Sequence, residues 1–194
     1  TRFLVEEVVE IYVEEASMEN FLRALLPSIL PEKYRIDENL FIRPHEGKSH
    51  LQKSIPKKMR AFSAYPYKVK LIVLHDQDSN DCKVLKDKLV RLIQQGGDIP
   101  FLVRIACREL KNWYLGDLPA VEQVYPESKA SRFADKSKFR RCDSLNGAEE
   151  MERLSTNFTK SFASREIPKH MNIYENKSVS FNHFVDGIRS FLDI

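Results

Sequence analysis

Residues 8–13 read VVEIYV, a β-branched and aromatic run, and after EEAS comes MENFLRALLPSIL, with apolar residues at 18, 21, 22, 25, 26 and 29. The first pattern predicts a strand and the second a helix. Ser17 is placed as the helix cap, Glu19 suits the positive helix end, and Pro27 should end or kink the helix. NLFIRP (39–44) reads as a second strand, followed by GKSHLQKSIPKKMRAF, a basic helical piece interrupted at Pro56. VKLIVLH (69–75) is the clearest strand, apolar enough to be buried on both faces. DCKVLKDKLVRLIQQGG then places apolar residues at 84, 85, 89, 92 and 93 before a Gly96-Gly97 stop, as a surface helix should. PFLVRIAC (100–107) is a further strand, and RELKNWYLGD a helix closed by Gly116.

Strands alternating with helices predict an α/β fold: a mostly parallel sheet of about four strands, covered by helices on both faces. Residues 1–117 form this layer unit in our reading, and residues 118–194 a C-terminal helical extension packed on the same domain. Within the extension, PESKASRFADKSKFRRC and GAEEMERLSTNFTKSFASREIPKHM suggest loops and short helices. SVSFNHFVDGIRSFL then carries one apolar stripe, Phe181, Phe184, Val185, Ile188, Phe191 and Leu192, with Ser180 as cap. This last helix should dock on the core.

Composition narrows the classes. With 194 residues, 42% of them hydrophobic, the chain suffices for one sizeable core. Its 31 Lys plus Arg against 28 Asp plus Glu give a net charge of +3, so a nucleic-acid footprint has to come from local clustering. Cys82, Cys107 and Cys142 are odd in number, far apart and in no CxxC pair, which disfavours a disulfide framework and a cysteine zinc site. A reducing cytoplasm is the default expectation. No apolar run approaches the roughly 18 residues of a membrane span and no basic-then-apolar leader opens the sequence, so a soluble protein with no membrane partner is expected.

The run LIVLHDQDSNDC (71–82) ends abruptly in carboxylates at Asp76, Asp78 and Asp81. In open parallel sheets ligands bind beyond the carboxyl ends of the strands, and both the VEE after the first strand and the DQD after the third fall there. If the backbone stays extended, Asp76 and Asp78 point to one side, since strand side chains alternate. Carboxylates held close repel one another unless a divalent cation neutralises them. Magnesium suits such a set, because it takes one or two carboxylates and leaves its other positions to water and phosphate oxygens. Our metal set is Glu14, Asp76 and Asp78, with Asp81 as auxiliary. Aspartates after strands also serve as loop formers and helix caps, and Asp81 is placed to cap the next helix, so DQD alone leaves both readings open. LVEE (4–7) and YVEE (12–15) are near copies; the second is preferred because a loop and helix follow it. Glu15 is the fallback to Glu14, and Glu6 and Glu7 are expected to be solvated charges.

A strand ending in a glutamate within VEEASMENFL, then a later strand ending in DQD, resembles the Toprim domain of topoisomerases, primases and the overcoming-lysogenization-defect nucleases. YVEEASMENFLRALLP, VLHDQDSNDC, RIACRELKNWYLGD and NKSVSFNHFVDGIRSF together resemble an uncharacterised bacterial Toprim-like family, in the family's order and over most of the chain. The resemblance implies a Toprim-like fold, a phosphodiester-cleaving or phosphoryl-transfer site using Mg2+ or Mn2+, a nucleic-acid partner, DNA or RNA, and a setting beside partner ATPases of the AAA type in defensive bacterial loci. By position Glu14 matches the Toprim glutamate, and Asp76 and Asp78 its two aspartates. One departure is Glu15, where Toprim proteins commonly have glycine; close phosphate approach past that loop is thereby put in question.

Glu109 follows the fourth strand and could support a second cation; read alone, it is as readily a surface glutamate beside Arg108. Glu109 and Trp113 lie four apart, hence on one helix face, with Trp113 read as core. Lys48 is the candidate to meet a scissile phosphate, with Arg108 and the cluster Lys136, Lys138, Arg140 and Arg141 as contacts to the nucleic-acid backbone, although a solvated surface charge is the ordinary role of each lysine. EGKS (46–49) is no P-loop, since Ile42 stands where that motif needs glycine; Gly47 and the helix start after it remain a candidate phosphate contact. DQDS also fits an aspartate-nucleophile phosphatase, against which stands its place on a later strand. The histidines at 45, 50, 75, 170 and 183 have no HxxxH or HExxH spacing; His75 is placed either to hydrogen-bond a metal ligand or to pack. Two expectations follow: a metal-dependent nuclease or phosphoryl-transfer protein, or a non-catalytic binding or regulatory subunit of a partner ATPase.

Overall fold

A computed structural model describes residues 6–194. Leu4 and Val5 of the first near-copied stretch lie outside the described residues. Four strands, β1 (Glu7–Val13), β2 (Leu40–Arg43), β3 (Lys68–Asp76) and β4 (Phe101–Ala106), form one parallel sheet in the order β2-β1-β3-β4. β1 and β3 are central and almost wholly buried, which explains why their sequences are apolar runs rather than alternations.

Helices α1 (Ala16–Leu25), α2 (Lys48–Ser63) and α3 (Cys82–Gln94) lie one in each crossover between strands. After β4 come α4 (Lys111–Leu115), α5 (Leu118–Val124), α6 (Ser137–Arg140), α7 (Gly147–Leu154), α8 (Lys160–Glu166) and α9 (Val179–Phe191), with short 3-10 turns between some of them. Two apolar cores flank the sheet. Leu51, Ile55, Met59 and Phe62 of α2 and Leu85, Leu89 and Ile93 of α3 cover the face carrying Tyr12, Leu71, Val73 and Val103. The opposite face, carrying Val9, Ile11, Ile72 and Leu74, is covered by α1 and by the C-terminal helices, through Phe21, Trp113, Met151, Ile167, Phe181, Phe184 and Ile188. Among the described residues no helix is long and apolar enough to cross a membrane.

Several local expectations need correction. α2 is not interrupted at Pro56, because buried Leu51, Ile55, Met59 and Phe62 hold it to the sheet on both sides of the proline. α1 starts two residues early: Met18 and Glu19 N–H groups donate to Glu15 O, so Glu15 is the capping position and Ser17 Oγ donates to its carboxylate at 2.9 Å. α9 is capped by Ser178, whose Oγ accepts from Phe181 N at 3.0 Å, while Ser180 lies inside the first turn. The RELKNWYLGD helix is only α4, so Glu109 belongs to the preceding loop and shares no helix face with Trp113; Arg108, at φ 59°, turns the chain first. Glu7 is not a free solvated charge: it accepts from Tyr34 OH at 2.8 Å and pairs with Lys70 at 3.6 Å.

Candidate functional site

The connection from β1 leads to β2 on one side of it, and the connection from β2 returns past β1 to β3 on the other. β1 and β3 are therefore adjacent strands whose following loops part in opposite directions, which is the switch point where open α/β sheets leave a crevice. Glu14 follows β1 directly, and Asp76 ends β3. The parallel register pairs Val13 with Leu74, which brings Glu14 beside His75 and Asp76.

Glu14 is buried, and one oxygen is fully used: Oε1 accepts from the Asp76 N–H at 2.7 Å and lies 2.7 Å from His75 Nδ1. Asp76 Oδ1 accepts from Leu110 N at 3.0 Å. Protein surrounds the Asp76 carboxyl on most sides, although some solvent contact remains, and its pKa is raised well above the ordinary carboxyl value. Loss of hydration is the main cause; the charges of Glu14, Asp78 and Glu109 add to it, and Lys111 opposes it. Acids from three of the four strand ends thus act on one carboxyl.

Asp78 arrives differently from expectation. β3 ends at Asp76, and Asp78 sits in a turn at φ 52°, so strand alternation does not aim it. It is held instead by the neighbouring loop: Gln77 N donates to Ala106 O at 2.9 Å, Asp78 N to Arg108 O at 2.8 Å, and Arg108 N to Gln77 Oε1 at 2.9 Å. The exposed Asp78 carboxylate pairs with Lys48 Nζ at 3.2 Å. Lys48 is the first residue of α2, after Gly47, whose φ of 92° favours glycine and whose amide donates to Glu14 O at 2.9 Å. The structure thus brings Lys48 and Asp78, both candidates from the sequence, together at this edge.

Glu109 is also tied down. Its Oε1 accepts from Ala148 N at 2.8 Å, at the start of α7, and its Oε2 lies 2.8 Å from Lys111 Nζ. Together with Asp78, Arg108, Leu145, Asn146 and Gly147 it lines a shallow cleft of about 180 Å³. Asp81 stands apart as the cap of α3, its Oδ1 accepting from Val84 N at 3.0 Å, which is the cap reading of the DQD loop. Arg108 directs Nη1 to Ser144 O at 2.5 Å, and Lys138 pairs with buried Glu150 at 2.7 Å. Lys136 lies over the Phe133 ring at 4.8 Å. Arg140 and Arg141 are exposed and make no ion pair among the described residues. Trp113 is core, fully buried against Phe181 and Phe184.

Sequence reasoning missed Gln77, which stitches two loops, Gln52 of α2, whose Nε2 lies 3.1 Å from His75 Nε2, Lys111, and Lys160, which pairs with Glu15. Gln77, between Asp76 and Asp78, and Lys111, two residues after Glu109, had a local signal; Gln52 and Lys160 meet the site through long-range packing.

The donor set consists of hard carboxylate oxygens, the chemistry that Mg2+ and Mn2+ take, and the uncompensated charge at Asp76 is what such a cation would offset. In kind the residues fit a hard divalent cation. Among the described residues no three His, Cys, Asp or Glu groups stand ready to hold an ion as they are. Two of the four acids are instead occupied by lysines, Asp78 by Lys48 and Glu109 by Lys111.

Fold and site together define a parallel α/β protein with an acidic centre at its switch point. The chain belongs to the family described as domain of unknown function DUF4276, whose family model matches residues 13–189. No curated protein matches it. Among solved structures it is similar to the C-terminal region of the OLD protein of Xanthomonas campestris pv. campestris, at 10% identity and a TM-score of 0.48, over 100% of this chain and 98% of that one.

Proposed function

We propose that the chain is a Toprim-like, divalent-cation-dependent protein that cleaves or transfers nucleic-acid phosphodiesters, with Glu14, Asp76 and Asp78 holding Mg2+ or Mn2+. The observation that carries this reading is the Asp76 carboxyl, set at the switch point under the combined charge of Glu14, Asp78 and Glu109. The Toprim-like order of glutamate and DQD supports it. When bound, a divalent cation would lower the pKa of an attacking water and neutralise charge on the phosphate.

The chain's own residues would do the remainder. Glu14 Oε1 and Asp76 Oδ1 are spent on protein N–H groups, which leaves Oε2 and Oδ2 as the oxygens to present. Asp78 would leave Lys48 to join them, and the freed ammonium would meet the phosphate charge. Glu15, held by Ser17 and Lys160, lines the narrow crevice beside Asp76. A Cβ built on Gly47 would meet nothing within 4 Å, so a phosphate can come over the start of α2 instead. Glu109 is the auxiliary ligand in this scheme, and Arg108, Lys138, Arg140 and Arg141 are the outer backbone contacts. The test is plasmid nicking by purified protein in Mg2+ or Mn2+. Loss of nicking in Asp76→Asn, and manganese density between residues 14, 76 and 78, are expected; undiminished nicking by the variant would refute the assignment.

A second reading, a binding or regulatory subunit of a partner ATPase, is favoured by one observation. Lys48 and Lys111 neutralise Asp78 and Glu109 in the free chain, so the acidic centre is partly closed. Inactivity alone, with activity restored by the partner, would select it.

A further inference from the structure

We propose that His75, itself held by Gln52, is a positioning residue that fixes Glu14 with one oxygen free for the cation. The proposal deepens the metal-site reading above and rests on it. His75 is fully buried on β3, beside Glu14 in the register of the two central strands. Its tautomer follows from its partners. Gln52 Nε2, which carries the amide hydrogens, lies 3.1 Å from His75 Nε2, so that ring nitrogen accepts. Nδ1 then carries the proton and hydrogen-bonds Asp76 O at 2.6 Å, with Glu14 Oε1 2.7 Å from the same nitrogen.

The Asp76 amide donates to Glu14 Oε1, and His75, hydrogen-bonded through Nδ1 to the carbonyl of the same Asp76, brings that nitrogen to 2.7 Å from the same Glu14 oxygen. That fixes the carboxylate plane and leaves Oε2 without either contact. A ring donor held by a further hydrogen bond is the usual outer support of a metal-binding side chain. Gln52 lies one turn along α2 from Lys48, so the helix that presents the phosphate-facing lysine also sets the glutamate. No water competes for the ring, since its exposure is 0%.

The experiment compares the full wild-type chain with His75→Asn, whose side-chain amide can donate near the position of Nδ1, and His75→Leu, which fills the space without a donor. Mn2+ affinity is measured by electron paramagnetic resonance, and hydrogen exchange of the Asp76 amide by NMR in metal-free protein. We expect His75→Asn to keep both within a few-fold, and His75→Leu to lose about 10–100-fold in Mn2+ affinity and to speed Asp76 exchange. Retention of both properties by His75→Leu would overturn the proposal, as would equal loss in the two variants while both remain folded. Should His75→Leu fail to fold, Gln52→Leu takes its place, with the same two losses expected in smaller measure and no change overturning the idea. If the wild-type chain binds no Mn2+, the metal-site reading falls, and the metal-free Asp76 exchange still decides whether His75 holds Glu14.

Discussion

Ser180 is the most informative single atom group for the stability of the site's framework. Its Oγ accepts from Cys107 N at 2.9 Å and from Trp113 Nε1 at 3.0 Å, and lies 3.3 Å from Ile105 O, tying α9 to the end of β4. Ser180→Ala deletes the acceptor and leaves two donors without a partner. A buried donor left unsatisfied costs about 1–3 kcal/mol. Trp113 is fully buried and bears that cost in full, whereas Cys107 is only partly buried and water can replace some of its bond. The sum is a loss of about 2–4 kcal/mol, which for a chain of this size lowers Tm by about 5–15 °C. Trp113 is the sole tryptophan, so its fluorescence reports from the perturbed bond itself during urea unfolding. A loss below about 0.5 kcal/mol, with unchanged emission in the folded variant, would refute the claim that this hydroxyl anchors the helix. The variant also bears on function, because Cys107 is followed directly by Arg108 and Glu109.

Asp76→Asn should stabilise the metal-free protein at neutral pH. Because the Asp76 pKa is raised in the fold, its contribution to stability is full below the ordinary carboxyl pKa and is lost as pH rises through the elevated value. The Tm of variant and wild type should therefore converge in acid and separate as pH rises; a constant difference across pH would count against the raised pKa. Gly147→Ala would place a Cβ 2.7 Å from Asn112 Oδ1 and 3.0 Å from Glu109 Oε1, and should cost about 1–3 kcal/mol by thermal unfolding while displacing Glu109. Lys48→Ala removes an exposed pair and should change stability by less than about 1 kcal/mol. The same change should reduce the salt dependence of nucleic-acid binding by about one unit of slope, and an unchanged slope would remove Lys48 from the phosphate path.

The α/β class and the sites of all four strands could be read from the sequence because each strand is a short apolar run bounded by polar loop residues. Local capping was less legible. Ser17 and Ser180 are the right residue types near the right helix starts, yet helix position is set by which hydroxyl lies three residues before a free amide, and Ser178 rather than Ser180 meets that condition for Phe181. Pro56 misleads for a related reason: a proline removes one helical bond, while the buried stripe from Leu51 to Phe62 continues through it. Asp78 is held beside the Arg108 loop by a left-handed turn and not aimed by strand alternation, a geometry the local pattern does not encode. His75, Gln52 and Glu14 come from three separate elements, and only their packing reveals the contact.

The acidic centre depends on strand order more than on any motif. Alternation of strands and helices fixes that the acids lie at one edge of the sheet, but edge neighbours are decided by which strands pair. With β1 beside β3, Glu14 and Asp76 are joined by a hydrogen bond of 2.7 Å; in an order that set another strand between them they would stand apart by about twice the 4.8 Å strand spacing. The pairing also explains why a buried carboxyl is tolerated there. Asp76 Oδ1 accepts from Leu110 N and Glu14 Oε1 from the Asp76 N–H, hydrogen bonds that offset part of the cost of burying the two carboxyls.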